Sequence, residues 1–297
     1  QSGLRRPIDG WSARTQLDAR TYSDRKIYFR NGSALESFQW NKLGDRQRYF
    51  NNDAVKGLLA QYSQMSDGQK KIALGENLVD FLRGDRSRES FVSGQESSLY
   101  RTRESRLGDI IGSQPVYVGK PQRKYKDDGY NAFRLAQRNR TPMVYVGAND
   151  GMLHAFYAET NLSKTITGTS QRLAAREAWA FVPETIMPGL ARLASTDYEG
   201  NHRYFVDGSP VVADIRADGV WKTILVGGFN KGGKGYYALD ITDPENPKAL
   251  WEVNRQNIST MGHSMGRPLI SKLPDGTWVV FLTSGYNNDG GKGMSMY

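Results

Sequence analysis

The sequence predicts a mainly β protein: a partial β-propeller of four-stranded antiparallel blades over residues 111–297, preceded by a small α/β extension over 1–110. Three observations carry that prediction. Tyr (16), Trp (6) and Gly (32) are plentiful in 297 residues, a mix that favours strands and turns over helical bundles. A hairpin pattern of apolar strand, Gly-rich polar turn and second strand occurs three times, in VYVGANDGMLHAF (144–156), TILVGGFNKGGKGYYALD (223–240) and WVVFLTSGYNNDGGKGMSMY (278–297). Each hairpin follows a Pro-led apolar element: GSQPVYVG (112–119), DGSPVVADI (207–215) and MGRPLISKL (265–273).

The spacing is regular. Gly232-Gly233-Lys234-Gly235 matches Gly290-Gly291-Lys292-Gly293 at an offset of 58, Pro210 matches Pro268 at 58, and Trp221 matches Trp278 at 57. The first two hairpins are followed by a Trp strand, EAWAFVP (177–183) and ALWEVN (249–254). The unit is therefore four strands. Proline is tolerated where its strand begins, and glycine supplies positive φ in the turns. Such a unit cannot bury its faces alone and stacks on its neighbours. Propellers close with about four to eight blades. Two units and most of a third do not close a ring, so the expectation is a parent chain that continues past Tyr297 and an exposed edge at this end.

The extension reads differently. DRKIYF (24–29) is a short strand, followed by a turn at Asn31-Gly32. Residues 53–62 read as helix. Ser66 caps a second helix expected to run to about Leu82, with Leu74, Leu78, Phe81 and Leu82 on one apolar face. RGDRSRESFVSGQESS (83–98) reads as a mobile polar loop, and 120–140 and 159–175 as long polar loops within the first blade.

Composition excludes some classes. The chain has no Cys, which removes disulfides, thiolate metal sites and cysteine nucleophiles. The net charge is +9, and 13 basic residues meet 7 acidic ones between Arg83 and Arg140. Attraction to polyanions follows, but the charges are dispersed and no nucleic-acid recognition motif is present, so no nucleic-acid partner is expected. No apolar run is long enough for a transmembrane segment. Gln1 opens the sequence without a basic-then-apolar leader, so no signal peptide is read in it, and because Met is not first the expectation is a piece of a longer chain.

FLRGDRSRES, RLGDIIGSQPVYVG, VYVGANDGMLHAF, EAWAFVPE, FVDGSPVVADI, GGKGYYALDITDP and SGYNN follow one another in the order seen in the C-terminal β-propeller of the PilC/PilY family. The resemblance covers roughly 75–297, and 20–75 less clearly. It implies a non-enzymatic type IV pilus biogenesis factor and pilus-tip adhesin, supporting pilus extension against retraction, twitching motility and attachment. It implies export to the periplasm, outer membrane and cell surface, as part of the fimbrium. The partners it implies are pilins or minor pilins and a host-cell receptor. No cofactor is expected in this chain. The family's calcium loop resembles Asp-x-Asn/Asp-x-Asp-Gly, a run this chain lacks, so the calcium site is expected beyond Tyr297. The blades also resemble quinoprotein repeats, Ala-x-Asp-x-x-Thr-Gly followed by Trp. Ala238 and Asp240 match and Trp251 follows at a stretched distance, whereas Ala155 is followed by Tyr157 where Asp belongs. Such an Asp bonds turn backbone and such a Trp packs between blades. Two alternatives remain. One is a quinoprotein-like dehydrogenase fragment, disfavoured because that family's quinone site includes an adjacent Cys pair. The other is a polyanion-binding surface module.

No catalytic, cofactor-binding or metal-binding residue is assigned. Asn149-Asp150-Gly151 reads as a hairpin turn before a cation site. GGFNKGGKG (227–235) lacks the spacing of a phosphate loop. Asn287-Asn288-Asp289-Gly290-Gly291 reads as a turn. His154, His202 and His263 show no metal-ligand spacing, and Asp207, Asp214, Asp240 and Asp243 form no paired-carboxylate pattern. One adhesion motif stands out, Arg83-Gly84-Asp85. It is the general integrin-recognition tripeptide, yet Arg83 also suits the last turn of a helix and Gly84 its left-handed cap, with Asp85 facing Arg86 and Arg88.

Overall fold

The structure, a computed structural model, describes residues 12–158, 174–288 and the backbone of 294–296. Strands β1 (Ile27–Asn31) and β2 (Ala34–Ser37) form a hairpin in the extension. Strands β3 (Val116–Val118), β4 (Met143–Ala148), β5 (Met152–Tyr157) and β6 (Glu177–Phe181) follow as an antiparallel meander. The second sheet is β7 (Val211–Ala217), β8 (Val220–Gly228), β9 (Gly235–Asp240) and β10 (Lys248–Asn254). The third is β11 (Leu269–Lys272), β12 (Trp278–Thr283) and β13 (Met294–Met296). These are the blades of a partial propeller, the third carrying three described strands.

The first sheet departs from the four-stranded expectation. Its order is β2-β1-β6-β5-β4-β3, because β1 pairs parallel with the Trp strand, Ile27 beside Ala180 and Tyr28 beside Phe181. The free backbone edge of β6 accounts for this, since an unpaired edge accepts another strand. Strands β5 and β9 lose their alternation and are almost wholly buried, as strands covered on both faces do. One apolar core runs from Ile27 and Phe29 through Leu78 and Phe81 to Tyr145, Trp179 and Leu239, joining the extension to the first two blades. A smaller cluster around Val226, Tyr236 and Leu282 joins the second blade to the third.

Several local expectations change. The single helix from Ser66 to Leu82 is two helices, Asp67–Ile72 and Glu76–Arg83. Ser66 does cap the first, in a reciprocal box with Gln69. The break comes at Gly75, whose φ is +72° and whose N–H donates to the Phe50 carbonyl at 2.9 Å. The helix expected over 53–62 shrinks to Asp53–Lys56 plus a short 3-10 turn, Tyr62–Gln64. The loop 120–140 contains a helix, Tyr130–Ala136. The loop 83–98 is tied down: the Gln69 side-chain amide donates to the carbonyls of Val92, Gln95 and Ser98 at 2.8–2.9 Å. Most of 159–175, and the second Gly-Gly-Lys-Gly turn at 290–293, lie outside the described residues.

The blades are linked by side chains at expected positions. Trp179 Nε1 donates to the Pro244 carbonyl at 2.8 Å, and the Tyr157 hydroxyl donates to Glu245 Oε1 at 2.7 Å. Both reach from the first blade to the turn after β9. Asp240 bonds its own turn, accepting from Thr242 N at 2.9 Å.

Candidate functional site

A cluster of buried charged side chains lies at the seam between the extension and the first blade. Glu177 opens β6 and faces inward, fully buried. Arg25, just before β1, is brought to it by the parallel β1–β6 pairing and binds both its oxygens: Nε to Oε2 and Nη2 to Oε1, each 2.8 Å. His154 lies on the neighbouring strand β5, paired with Ala180. Its Nδ1 lies 2.8 Å from Glu177 Oε1 and its Nε2 lies 3.1 Å from Asp150. Asp150, in the turn before β5, accepts from the backbone N–H of Gly108 at 2.9 Å and of Met152 at 3.1 Å.

The result is a set of two cations and two carboxylates, with a third cation, Arg20, 3.9 Å from Glu177 at its edge. Burial alone would depress His154, but Asp150 and Glu177 overcome it and hold the imidazole up to about 9. Burial would raise Glu177, but Arg25 and His154 keep it well below the ordinary carboxylate range. Asp150 is likewise lowered against its burial, chiefly by His154. Both ring nitrogens of His154 are engaged, so the imidazole has no free atom for proton transfer to a substrate. Asp150, expected only as a turn residue, is also half of a buried ion pair.

The same Arg25 reaches the sequence-predicted tripeptide. Gly84 ends the helix Glu76–Arg83 in the left-handed region, φ +116°. Its N–H and that of Asp85 both donate to the Asp80 carbonyl, at 3.1 and 2.9 Å. Each carbonyl of the tripeptide then accepts from a different arginine: Arg83 from Arg25 Nη1 at 2.6 Å, Gly84 from Arg106 Nε at 2.7 Å, and Asp85 from Arg103 Nη2 at 2.6 Å. The first of these bonds satisfies an orphan carbonyl of the helix end, and the other two hold the cap and the residue after it. The Arg83 side chain is only 7% exposed; it pairs with Asp80 at 3.0 Å and lies over the Tyr22 ring. Asp85 is half-buried, and its carboxylate accepts from Ser87 N and Oγ at 2.9 and 2.8 Å rather than facing Arg86 and Arg88. Arg103 is itself buried, pulled down to about 10 by that burial in spite of its 2.7 Å pair with Glu89.

The other singled-out residues fall elsewhere. His202 is exposed, 3.0 Å from Asp109. His263 bridges to Tyr286 through backbone. Asp207 accepts from Gly112 N at 2.7 Å, and Asp214 accepts from Tyr130 and Thr223 at 2.7 and 2.6 Å. These acids bind neighbouring segments rather than one another. Among the described residues, no group of three His, Asp or Glu is arranged to hold a metal ion.

Sequence reasoning missed Arg25, Glu177, Arg103 and Arg106. One signal was present: a glutamate opening the apolar strand EAWAF marks a charge carried inward. Its partner at Arg25 lies 152 residues away in the chain and has no local signature.

The family described as "PilY1 beta-propeller domain" matches residues 107–295. The type IV pilus biogenesis factor PilY1 of Pseudomonas aeruginosa strain PAK is 39% identical over 291 residues, 94% of this chain. A PilY1 homologue from Xylella fastidiosa is 41% identical over 239 residues, 77% of this chain and 18% of its own length. The chain spans about a fifth (22%) of the length of the Pseudomonas relative. The crystal structure of the Pseudomonas aeruginosa PilY1 C-terminal domain superposes with a TM-score of 0.44 and 37% identity, over 58% of this chain and 32% of that one.

Proposed function

The chain belongs to the PilY1 β-propeller family, and on that premise we propose that it is the propeller module of a type IV pilus biogenesis factor. In this reading it acts without catalysis, as an assembly and tip-adhesin module that supports pilus extension against retraction, twitching motility and attachment. It works outside the cytoplasm, in the envelope and at the pilus tip, with pilins or minor pilins as its partners and a host-cell receptor as a further one. The observation that carries it is the match of 39% identity over 94% of the chain to a relative named for pilus biogenesis. The buried charges support the non-enzymatic part. His154, Glu177 and Asp150 are spent on one another and on Arg25, so the groups that would serve as acid or base hold the fold instead. No described helix is long and apolar enough to cross a membrane.

The test is genetic. In a strain whose pilus biogenesis factor lacks this segment, surface pili and twitching should be lost while pilin levels stay normal. Pili should return in part when retraction is disabled. Normal piliation without the segment would overturn the proposal.

A further inference from the structure

The insertion 120–140 carries seven Lys and Arg against two Asp. One of the seven, Arg140, is committed to the fold through the Gly119 carbonyl at 2.9 Å and Thr223 Oγ1 at 2.6 Å. Asp127 is committed as well, paired with Lys272. The remaining six cations have side chains with no hydrogen bond or ion pair to another described residue. Surface cations usually scatter among acids; here the acids are outnumbered and one is already used.

Three of these cations line one concave groove of about 460 Å³, between Lys120-Pro121-Gln122 and the helix Tyr130–Ala136 with its following turn. Lys120, Arg134 and Arg138 supply charge, Gln122 and Asn131 supply amides, and Leu135 supplies an apolar wall that is 61% exposed. Arg134 is half-buried in this lining and has no side-chain hydrogen bond to another described residue.

We infer that this groove binds an acidic oligosaccharide, a chain of sugars bearing carboxylates or sulfates. Guanidinium and ammonium groups fit the anions, the two amides fit sugar hydroxyls, and Leu135 fits the apolar face of a ring. Nucleic acid fits less well. Single strands are held by stacking bases on free aromatic rings, and the rings of this segment are occupied: Tyr125 stacks on Trp221 at 5.7 Å, and Tyr130 and Phe133 lie against the same indole. A membrane surface fits less well again, because one leucine does not make the wide apolar face that interfacial insertion needs. This inference is independent of the pilus-assembly role.

The test is binding of a heparin-derived octasaccharide to the protein, followed by fluorescence anisotropy. Lys120→Glu/Arg138→Glu should weaken binding by more than about tenfold, each lost charged bond being worth that much. Both side chains are exposed and unpartnered, so the melting temperature should not change. Gln122→Ala/Asn131→Ala, which leaves the charge alone, should weaken it several-fold. Lys42→Glu/Lys71→Glu, with the same charge change on exposed residues of the extension, should leave it unaltered. Equal loss in that control would reduce the effect to net charge and overturn the inference. So would unaltered binding in the amide variant, or tighter binding of a single-stranded oligonucleotide or of phosphatidylglycerol vesicles.

Discussion

At His154 a buried ring carries a proton because two carboxylates face it. The groups around it are Asp150 from the preceding turn, Glu177 from β6, and Arg25 and Arg20 from the extension. Its value when folded, about 9, lies above the unfolded value of about 6.5. The stability it contributes is therefore fully present below pH ~6.5 and is lost as pH rises through ~9. Glu177 and Asp150 are shifted down, so their contribution is present above pH ~4 and is lost as pH falls. Urea unfolding should show a plateau between those limits and a decline toward pH 9 on the order of 3 kcal/mol. His154→Gln should be less stable at pH 6 and nearly flat from 6.5 to 9; an unchanged alkaline decline in that variant would refute the assignment. At Gly84 the left-handed backbone is the constraint. Alanine there is strained, and its Cβ would lie 3.1 Å from Arg106 Cδ and 3.3 Å from Arg25 Nη1. Gly84→Ala should cost at least about 1 kcal/mol, whereas Asp85→Glu should alter unfolding by less than ~1 kcal/mol. Because Arg83 is turned inward, adhesion through this tripeptide would rest on Asp85. Attachment of integrin-bearing cells to the same two proteins tests it: an adhesive Asp85 loses attachment with Asp85→Glu alone.

Among the elements, the insertion 120–136 reaches from the first blade to both the second and the third. It leaves the first blade after β3, places Tyr125 against Trp221 at 5.7 Å and Trp278 at 5.5 Å, and receives the Trp221 Nε1 bond at the Asp128 carbonyl, 2.9 Å. Those two tryptophans are the repeat-related pair of the second and third blades, so one ring from the first blade contacts both neighbours. Tyr125→Ala removes both of these pairs and a third with Tyr130 at 4.8 Å, and should cost about 1–3 kcal/mol. Trypsin should then cleave faster at Lys124 and Lys126, with no comparable acceleration at Lys42 or Lys71. Equal cleavage rates before and after the substitution would show that the ring does not hold the strap.

Across the whole molecule, close backbone approach sets how the blades stack. At Gly147, the end of the first blade's second strand, an added Cβ would fall on the Val206 carbonyl of the segment leading into the second blade. That atom is backbone and cannot swing away, so Gly147→Ala must push the blades apart. The expected loss is about 1–3 kcal/mol or more, visible as a lower melting temperature and faster hydrogen exchange in β4 and β8. Gly200→Ala, where an added Cβ meets nothing nearer than 3.8 Å, is the matched control and should be close to neutral.

The repeat, the blade strands, the Ser66 cap and the left-handed Gly84 were legible in the sequence because each rests on local chemistry: Pro and Gly set backbone angles, alternation marks a sheet face, and a serine oxygen reaches only a few residues ahead. Two features written locally were still misjudged. The helix from Ser66 breaks at Gly75 because tertiary packing against Trp40 and Phe50 holds that glycine at positive φ, and the 120–140 loop holds a helix because Trp221 gives its aromatic residues a surface to bury. The tertiary structure alone decided that β1 joins β6 and that three arginines converge on Arg83-Gly84-Asp85. It also decided that Arg25, Glu177, His154 and Asp150 form one cluster. A buried charge tolerates low dielectric only beside an opposite one. The strand pairing that brings those partners together spans more than a hundred residues of chain, so no short stretch of sequence records it.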